Sequence, residues 1–171
     1  MKTIFRKTAI IAIALVTMSA ATSAQGKGDM AAGGNLVLGT GDSFTNFGIG
    51  GKFQYNVTHP VRLEGSFTCF MKKDYITMWD LSVNGHWLFP VHNRMTVYPL
   101  TGLGILNHGY DNSVNLGGPG SRGSKSDFAF NLGGGVDCRM TDNLVFNAEL
   151  KYKISDVWSR FLISAGLAYR F

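Results

Sequence analysis

The sequence predicts an all-β protein, an eight-stranded antiparallel up-and-down transmembrane β-barrel. The last eleven residues alternate without a break between apolar side chains and smaller or polar ones, as the two faces of a β-strand require. Several earlier segments alternate in the same way. The chain also contains 22 glycines, 12% aromatic residues and only 4 prolines, a composition typical of many strands joined by tight turns.

The first 24 residues have the features of a secretory signal peptide, so the predicted barrel domain is 25–171. A basic start at Lys2, Arg6 and Lys7 is followed by a short apolar run and by small residues that lead to cleavage after Ala24. The segment holds three of the 16 Lys and Arg residues and none of the 11 Asp and Glu residues, so its removal lowers the formal net charge from +5 to +2. This balance gives no reason to expect nucleic-acid binding.

Eight strands are predicted along the chain, and an even number is what a single-chain bacterial barrel requires. Six of them alternate clearly. The first strand is short. The fifth contains Pro99 and several glycines, so the sequence does not decide which of its faces points to lipid. The predicted strands are Gly33–Thr40, Phe47–Val57, Val61–Met71, Tyr75–Phe89, Met95–Asn107, Phe128–Arg139, Leu144–Ser155 and Phe161–Phe171.

The last strand has the order of side chains that a lipid bilayer favours. Its apolar face carries Phe161 at one end, Tyr169 and Phe171 at the other, and aliphatic residues such as Ile163 and Leu167 between them. Aromatic rings prefer the two membrane interfaces and aliphatic groups prefer the hydrocarbon. A tilted spanning strand needs roughly 9–11 residues. The apolar faces are therefore predicted to contact lipid.

The lengths of the connections indicate which side of the membrane each one occupies. If both chain ends lie in the periplasm, the short turns Thr58–Pro60, Pro90–Arg94 and Thr141–Asn143 lie there too, and all contain turn-forming residues. The only long connection, His108–Asp127, then falls on the outer side, and its Gly- and Ser-rich composition favours mobility. The other outer connections are Gly41–Ser43, Lys72–Asp74 and Asp156–Ser159.

Charges of both signs occupy the polar faces near the middle of the strands, which argues against a soluble barrel with an apolar ligand pocket. Eight strands leave a lumen only wide enough for side chains. Because buried charges must be paired, we predict a lumen plugged by ion pairs, with a narrow water path as the alternative. The predicted interior network is Lys52, Arg62, Glu64, Asp80, His86, Asp137, Arg139, Glu149, Lys151, Lys153 and Arg170.

The end of the chain, with Ser164, Gly166, Tyr169 and Phe171, resembles the C-terminal signal by which outer-membrane proteins are recognised for assembly. The chain after the signal peptide resembles the small barrel families typified by OmpX and the transmembrane domain of OmpA. The stretch Tyr98–Gly104 resembles the fifth strand of porin-family barrels of Bacteroidota-type bacteria. The resemblance implies a Gram-negative outer membrane, contact with its lipids and lipopolysaccharide, and assembly by periplasmic chaperones and the barrel assembly machinery.

An enzymatic alternative arises because some similar small barrels modify lipid A with a His and a Ser or acidic partner near the outer rim. The candidates here are His108, Asp111, Ser113 and Asp156. Nucleophilic catalysis needs the base within hydrogen-bond reach of the hydroxyl, and the spacing of these residues does not enforce that. We therefore expect no catalytic residues and no enzyme.

No metal or cofactor is expected either. No second His shares the face of His86, and the glycine runs at Gly50–Gly51 and Gly133–Gly135 lie inside strands, where they favour close packing over phosphate binding. Cys69 and Cys138 fall on strands that are not neighbours, so both are expected to be free thiols facing lipid or neighbouring side chains.

A role in surface interactions is the third class of function. Tyr110 and a modest group of basic residues are predicted at the outer rim, where they could contact lipopolysaccharide phosphates or a host surface. Together, these observations predict an integral outer-membrane protein with a structural or surface-interaction role. The basic residues are Lys72, Lys73, Arg122, Lys125 and Arg160.

Overall fold

A computed structural model describes residues 27–41, 44–73, 76–111, 122–155 and 159–171, so the predicted signal peptide lies outside the described residues. The described part of the chain forms nine β-strands. It contains no helix that is long and apolar enough to cross a membrane. The strands are β1 (Met30–Gly41), β2 (Phe44–Thr58), β3 (Val61–Lys73), β4 (Ile76–Trp87), β5 (Phe89–His92), β6 (Met95–Asp111), β7 (Arg122–Arg139), β8 (Leu144–Ser155) and β9 (Arg160–Arg170).

These strands form one closed antiparallel barrel. Apart from β4 and β5, neighbours in the chain pair with each other, and the pairings of β1 with β9 and of β4 with β6 close the ring. β4 and β5 are two parts of one barrel strand, because both pair with β6 in a continuous register. Their interruption at Leu88 lies opposite Tyr98 and Pro99, where the proline offers no N–H to the ladder. The barrel therefore has eight strand positions, which confirms the predicted fold class.

Side chains alternate between the lumen and the outer surface along every long strand. Outward residues such as Leu36 and Phe128 are 66% and 65% exposed, whereas inward Glu64 and Asn84 are 1% and 0% exposed. Soluble proteins bury apolar side chains and expose charges, so this distribution is reversed and suits a barrel surrounded by lipid. The facing predicted for the six clearly alternating strands is confirmed.

The two ends of the barrel differ in their connections. At the end that carries both chain termini, here called the terminal end, the turns are short and include His59–Pro60 and Asn93–Arg94. At the opposite end, here called the loop end, the connections include residues outside the described part of the chain. The predicted turn Pro90–Arg94 is wrong in its first part, because Pro90 to His92 continue β5 and pair with β6.

The predicted long connection His108–Asp127 is also shorter than expected. β6 continues to Asp111 and β7 begins at Arg122, and these two residues are paired at the end of an unbroken ladder. The strands extend because each supplies the backbone hydrogen-bond partners of the other, which outweighs the weak strand preference of this composition. Residues 112–121 lie outside the described part of the chain.

Candidate functional site

The lumen contains five buried cations and five buried carboxylates among the described residues. Eight of these ten residues belong to the predicted interior network, and the other two, Arg160 and Asp127, were expected at the outer rim and in the outer connection. The cations are Lys52, Arg62, Lys151, Lys153 and Arg160, and the carboxylates are Glu64, Asp80, Asp127, Asp137 and Glu149.

One group of ion pairs connects β2 with β8 across the lumen. Lys52 Nζ lies 3.0 Å from Glu149 Oε1 and 3.6 Å from Glu64 Oε2. Lys151 Nζ lies 3.1 Å from the second oxygen of Glu149. Gln54 donates a hydrogen bond of 2.8 Å to Glu64. Because β9 and β1 separate β8 from β2, the Lys52–Glu149 pair spans the interior and does not follow the wall.

A second group is centred on Arg62 and joins the first. Arg62 Nη1 lies 2.6 Å from Asp137 Oδ2, and its Nε and Nη2 lie 3.2 Å and 3.0 Å from His86 Nδ1. The Tyr98 ring stacks on His86 at 4.6 Å and lies 4.6 Å from the guanidinium carbon of Arg62. The Tyr98 hydroxyl donates a 3.0 Å hydrogen bond to Glu149. Tyr98 therefore links the two groups of charges.

A third group lies closer to the loop end. Lys153 Nζ pairs with Asp80 and donates a 3.0 Å hydrogen bond to Ser82, and Ser82 donates a 2.7 Å bond to the other oxygen of Asp80. Gly104 is the register partner of Ser82 on the neighbouring strand β6, and its lack of a side chain leaves space for this group. A Cβ at that position would lie 2.5 Å from Ser82 Oγ and 2.8 Å from Lys153 Nζ.

Two residues of the predicted network, Arg139 and Arg170, are not buried with the others. Arg139 is half-buried at the end of β7. Arg170 pairs with Asp29 at 3.1 Å, and their side chains keep 22% and 30% exposure. Both arginines lie at the terminal end, because they are the last residues of their strands. Inward facing alone does not bury a side chain that reaches the end of the barrel.

The cluster Glu64, His86 and Glu149 has ligand atoms within 4.8 Å of one another, a spacing that a metal ion would tolerate. Its surroundings oppose metal binding. Lys52 already pairs with both carboxylates, Lys151 pairs with Glu149 as well, and Arg62 donates to Nδ1 of His86. A neutral imidazole that accepts at Nδ1 carries its proton on Nε2 and has no lone pair there for a metal.

The enzymatic candidates are only partly within the described residues. His108 was expected in a loop, but it is buried on β6, and its Nε2 lies 3.2 Å from Asp127 Oδ2. The side chain of Asp111, together with Ser113 and Asp156, lies outside the described residues. The structure therefore brings His108 to an acidic partner that the sequence did not indicate.

An apolar cluster, here called the apolar collar, crosses the lumen on the loop-end side of the ion pairs of Lys52 and Arg62, and its Leu106 is the register partner of Asp80 and Asp127. Its five buried members come from β1, β3, β4, β6 and β9, so they surround most of the lumen. A smaller cluster of Leu88, Tyr98 and Leu100 lies toward the terminal end. The sequence did not indicate either cluster, because alternation shows which face of a strand a side chain occupies and not which side chains on other strands it meets. The collar consists of Val37, Phe70, Met78, Leu106 and Leu162.

Several buried polar atoms on β1, β8 and β9 have no hydrogen-bond partner within the described protein. They include Asn35 Oδ1, both amide atoms of Asn147 and Ser164 Oγ. Asn35 and Asn147 flank Gly166 in the register of the three strands. Buried polar groups of this kind are normally satisfied by water. The interior wall formed by these three strands is therefore suited to hold ordered water.

The four residues of the predicted assembly signal have different surroundings in the folded barrel. Tyr169 and Phe171 are exposed on the outer surface, whereas Ser164 and Gly166 face the lumen. A Cβ on Gly166 would collide with the backbone oxygen of Gly34. This glycine is therefore needed for strand packing, apart from any role in recognition.

The two cysteines are free thiols on β3 and β7, which are not neighbours in the barrel. Cys69 is exposed on the outer surface and Cys138 is half-buried. Gly50 and Gly135 point inward, and a Cβ on either would lie 2.7 Å from a neighbouring side-chain atom. These contacts agree with the predicted close packing at the glycine runs.

Comparisons with known proteins identify relatives of this barrel. The family model for the outer membrane protein beta-barrel domain matches residues 9–171. The N-terminal β-barrel domain of Pseudomonas aeruginosa OprF has a TM-score of 0.68 and 20% identity, covering 86% of this chain and 100% of that one. Yersinia pestis Ail, the attachment invasion locus protein, has a TM-score of 0.61 and 21% identity, covering 85% and 99%.

Neisserial surface protein A, NspA, is a third similar structure, with a TM-score of 0.65, 15% identity and coverage of 84% and 96%. At these identities the likeness shows the shared barrel fold alone. A search among curated protein sequences finds no match.

Proposed function

Since the chain belongs to the outer-membrane protein β-barrel family, we propose that it is an integral bacterial outer-membrane protein that serves as a closed, rigid scaffold. Its role is structural or concerns interactions at the cell surface, and it requires no catalysis. The observation that carries the proposal is the set of ion pairs between strands on opposite sides of the lumen. Arg62–Asp137 joins β3 to β7, and Lys52–Glu149 joins β2 to β8.

These ion pairs support a plugged lumen on energetic grounds. Removing one partner of a buried pair typically costs about 3–5 kcal/mol, because the other charge is left uncompensated in a low-dielectric interior. An ion passing through would have to displace several such contacts in sequence. The network therefore resists opening and also stiffens the barrel by tying distant strands together.

The proposed orientation places the terminal end in the periplasm and the loop end outside. Outer-membrane barrels have short periplasmic turns and longer outer connections, and the terminal end carries the short turns. β6 and β7 have 17 and 18 residues, more than the roughly 9–11 that a membrane crossing needs. Their paired ends would extend past the bilayer and offer a rigid hairpin for surface contacts.

A narrow water path is a second candidate, favoured by the partnerless polar atoms of Asn35, Asn147 and Ser164. The apolar collar opposes it, because a hydrophobic constriction excludes water and ions from a narrow pore. Lipid A modification receives less support. Among its proposed residues, the described His108 is buried against Asp127 and does not lie open to a lipid.

The biogenesis partners are also proposals. Ser164, Gly166, Tyr169 and Phe171 would be read by the barrel assembly machinery after periplasmic chaperones deliver the chain. The apolar outer surface would then contact outer-membrane lipids and lipopolysaccharide. Deleting Phe171 would test the first point, since the chain should refold in detergent yet accumulate less in the outer membrane.

Two measurements test the proposed function. The first compares the electrophoretic mobility of boiled and unboiled samples from the outer-membrane fraction, where a closed barrel runs compactly until it is heated. The second records the current through planar bilayers that contain the refolded protein. A heat-dependent shift without current steps would support the closed scaffold. A shift with reproducible steps would favour the narrow pore, and a soluble protein without a shift would contradict membrane insertion.

A further inference from the structure

Arg160 occupies an unusual position on the loop-end side of the apolar collar. It is the first residue of β9, it faces the lumen, and it is 4% exposed. Its side chain reaches across the interior, so that its guanidinium carbon lies 4.5 Å from the ring centre of Phe70 on β3. Its Nη1 lies 2.9 Å from the sulfur of Met78 on β4. The guanidinium is therefore held on an aromatic face and a thioether.

Arg160 differs from the other buried cations because no carboxylate among the described residues lies within ion-pair distance of it, and Asp80 acts on its charge only from further away. Lys52, Lys151 and Lys153 each pair with a carboxylate, and Arg62 pairs with Asp137. The carboxylates of the loop-end half have other partners, since Asp80 pairs with Lys153 and Asp127 with His108.

Two donors of Arg160, Nε and Nη2, are buried and have no hydrogen-bond partner in the part of the chain that the structure describes. The N–H bonds of these two nitrogens run parallel along one edge of the guanidinium. Carboxylate, phosphate and sulfate groups bind in a bidentate manner to this edge, and such charge-assisted bonds are the strongest hydrogen bonds that a side chain forms. We propose that Arg160 forms a binding site for a small oxyanion at the loop end of the lumen.

Asn46 supplies a second polar group to the same site. Its Nδ2 lies 3.6 Å from the Met78 sulfur that Arg160 also contacts, and its Oδ1 is buried with no hydrogen-bond partner among the described residues. Rotation of the amide by half a turn exchanges the oxygen and the nitrogen at no cost in shape. Asn46 then presents an N–H₂ donor on the side where it now presents an unused acceptor. An oxyanion would thus meet donors from β2 and β9.

The surroundings of Arg160 strengthen the binding of an oxyanion and determine from which side it can reach the site. Leu162 and Phe70 of the collar border the site, and a low local dielectric increases the attraction between opposite charges. Because Arg160 faces the lumen, the phosphates of surrounding lipopolysaccharide, on the outer side of the wall, are separated from it by the barrel backbone. The ligand is therefore a free oxyanion that enters from the loop end. This inference goes beyond the scaffold role and holds whether or not the lumen conducts.

The test uses the full folded chain in detergent, with inorganic phosphate as the probe. Chloride is replaced stepwise by phosphate at constant ionic strength, and the midpoint of heat unfolding is followed by gel mobility. Binding to the native state alone stabilises it by RT ln(1 + [phosphate]/Kd), so the midpoint rises with the logarithm of the phosphate concentration once that concentration exceeds Kd. The expected result is such a rise for the wild type, no such rise for Arg160→Gln and a weaker rise for Arg160→Lys, which lacks the bidentate edge.

Arg170→Gln is the matched control, because it removes an arginine at the opposite end and should keep the full response. If Arg160→Gln does not fold, Asn46→Leu replaces it, and calorimetric titration should then show a weaker affinity for phosphate. A wild type whose midpoint does not rise with phosphate, or an equal rise in the Arg160 variants, would overturn the proposal. Stabilisation by lipid A micelles without any by phosphate would assign the anion site to the outer rim and would also overturn it.

Discussion

Arg62 on β3 and Asp137 on β7 form an ion pair of 2.6 Å inside the barrel, although 75 positions separate them in the chain. Two barrel strands lie between β3 and β7 on the shorter way around the wall. Both side chains are almost fully buried. The pair therefore acts as a strut across the lumen. It joins two strands that are not hydrogen-bonded neighbours, so the pairing of adjacent strands does not account for this contact.

Breaking this strut is expected to destabilise the barrel strongly. Asp137→Asn leaves the guanidinium of Arg62 buried without its carboxylate, which should lower the free energy of unfolding by about 3–5 kcal/mol. Urea unfolding of the protein inserted in phospholipid vesicles measures this quantity. Asp29→Asn is the control, because the partly exposed Asp29–Arg170 pair should contribute only about 0–1 kcal/mol. Equal losses in both variants would contradict the strut.

Gly166→Ala is expected to destabilise the folded barrel, apart from any effect on assembly in the cell. The new Cβ would collide with the backbone oxygen of Gly34 and lie 2.8 Å from Cα of Asn35, so two strands would have to move apart. Overpacking of this kind costs about 1–3 kcal/mol.

Refolding and unfolding in vitro, without assembly factors, isolates this packing effect. Gly34→Ala is the matched control, since its Cβ would point outward and meet only the Gly50 oxygen at 3.7 Å. If both variants unfold at the wild-type urea concentration, Gly166 is not needed for strand packing.

A charge on the lipid-facing surface should cost most near the middle of the barrel. Leu150 is 52% exposed on β8 and pairs with residues inside β7 and β9. Leu150→Arg should lower the free energy of unfolding in vesicles by about 2–4 kcal/mol, as for an arginine at the bilayer midplane. Val91→Arg, at the end of the barrel, should cost about 0–1 kcal/mol. A soluble barrel would tolerate both changes about equally.

Opening the apolar collar alone should admit water to the loop-end part of the lumen without letting ions through the barrel. In the double variant Leu106→Ser with Leu162→Ser, two collar side chains are replaced by small polar ones, so a dewetted constriction becomes wettable. Because the Lys52–Glu149 and Arg62–Asp137 pairs remain in place, we expect planar bilayers with this variant to show no current steps. Leu103→Ser with Ile163→Ser is the control, because these neighbours point to lipid and should leave the lumen closed.

Both double variants must first show the heat-dependent mobility shift, so that conductance is compared between folded barrels. Current steps from a folded collar variant would place the seal in the collar and would contradict a lumen plugged by ion pairs. Current from the wild type itself would contradict the closed scaffold.

The sequence alone determined which face of most strands meets lipid. Facing is a local property, because successive side chains leave opposite sides of an extended backbone. Lys52 therefore had to point to the opposite face from Phe53, and Arg160 to the opposite face from Phe161, whatever the position of each strand in the barrel. The strand count followed from the same alternation.

The sequence could not show which face of Met95–Asn107 points into the lumen, because both faces of this strand are apolar. The structure settles it through pairing with β7, where Asn131 and Asp137 point inward opposite Gly102 and Thr96. That pairing also carries β6 through His108, which composition had suggested to be part of a loop.

Only the tertiary structure decided which inward side chains meet and how far along the barrel each one lies. The alternation allowed Arg160 to be at the rim or in the lumen, and it did not select Asp137 over any other carboxylate for Arg62. These relations depend on the stagger between strands and on the closure of β1 against β9, which bring together residues far apart in the chain. A pattern with a period of two shows which face of its strand a side chain occupies, but not how far it lies from side chains on other strands. The contacts within the lumen are therefore determined only when the barrel closes.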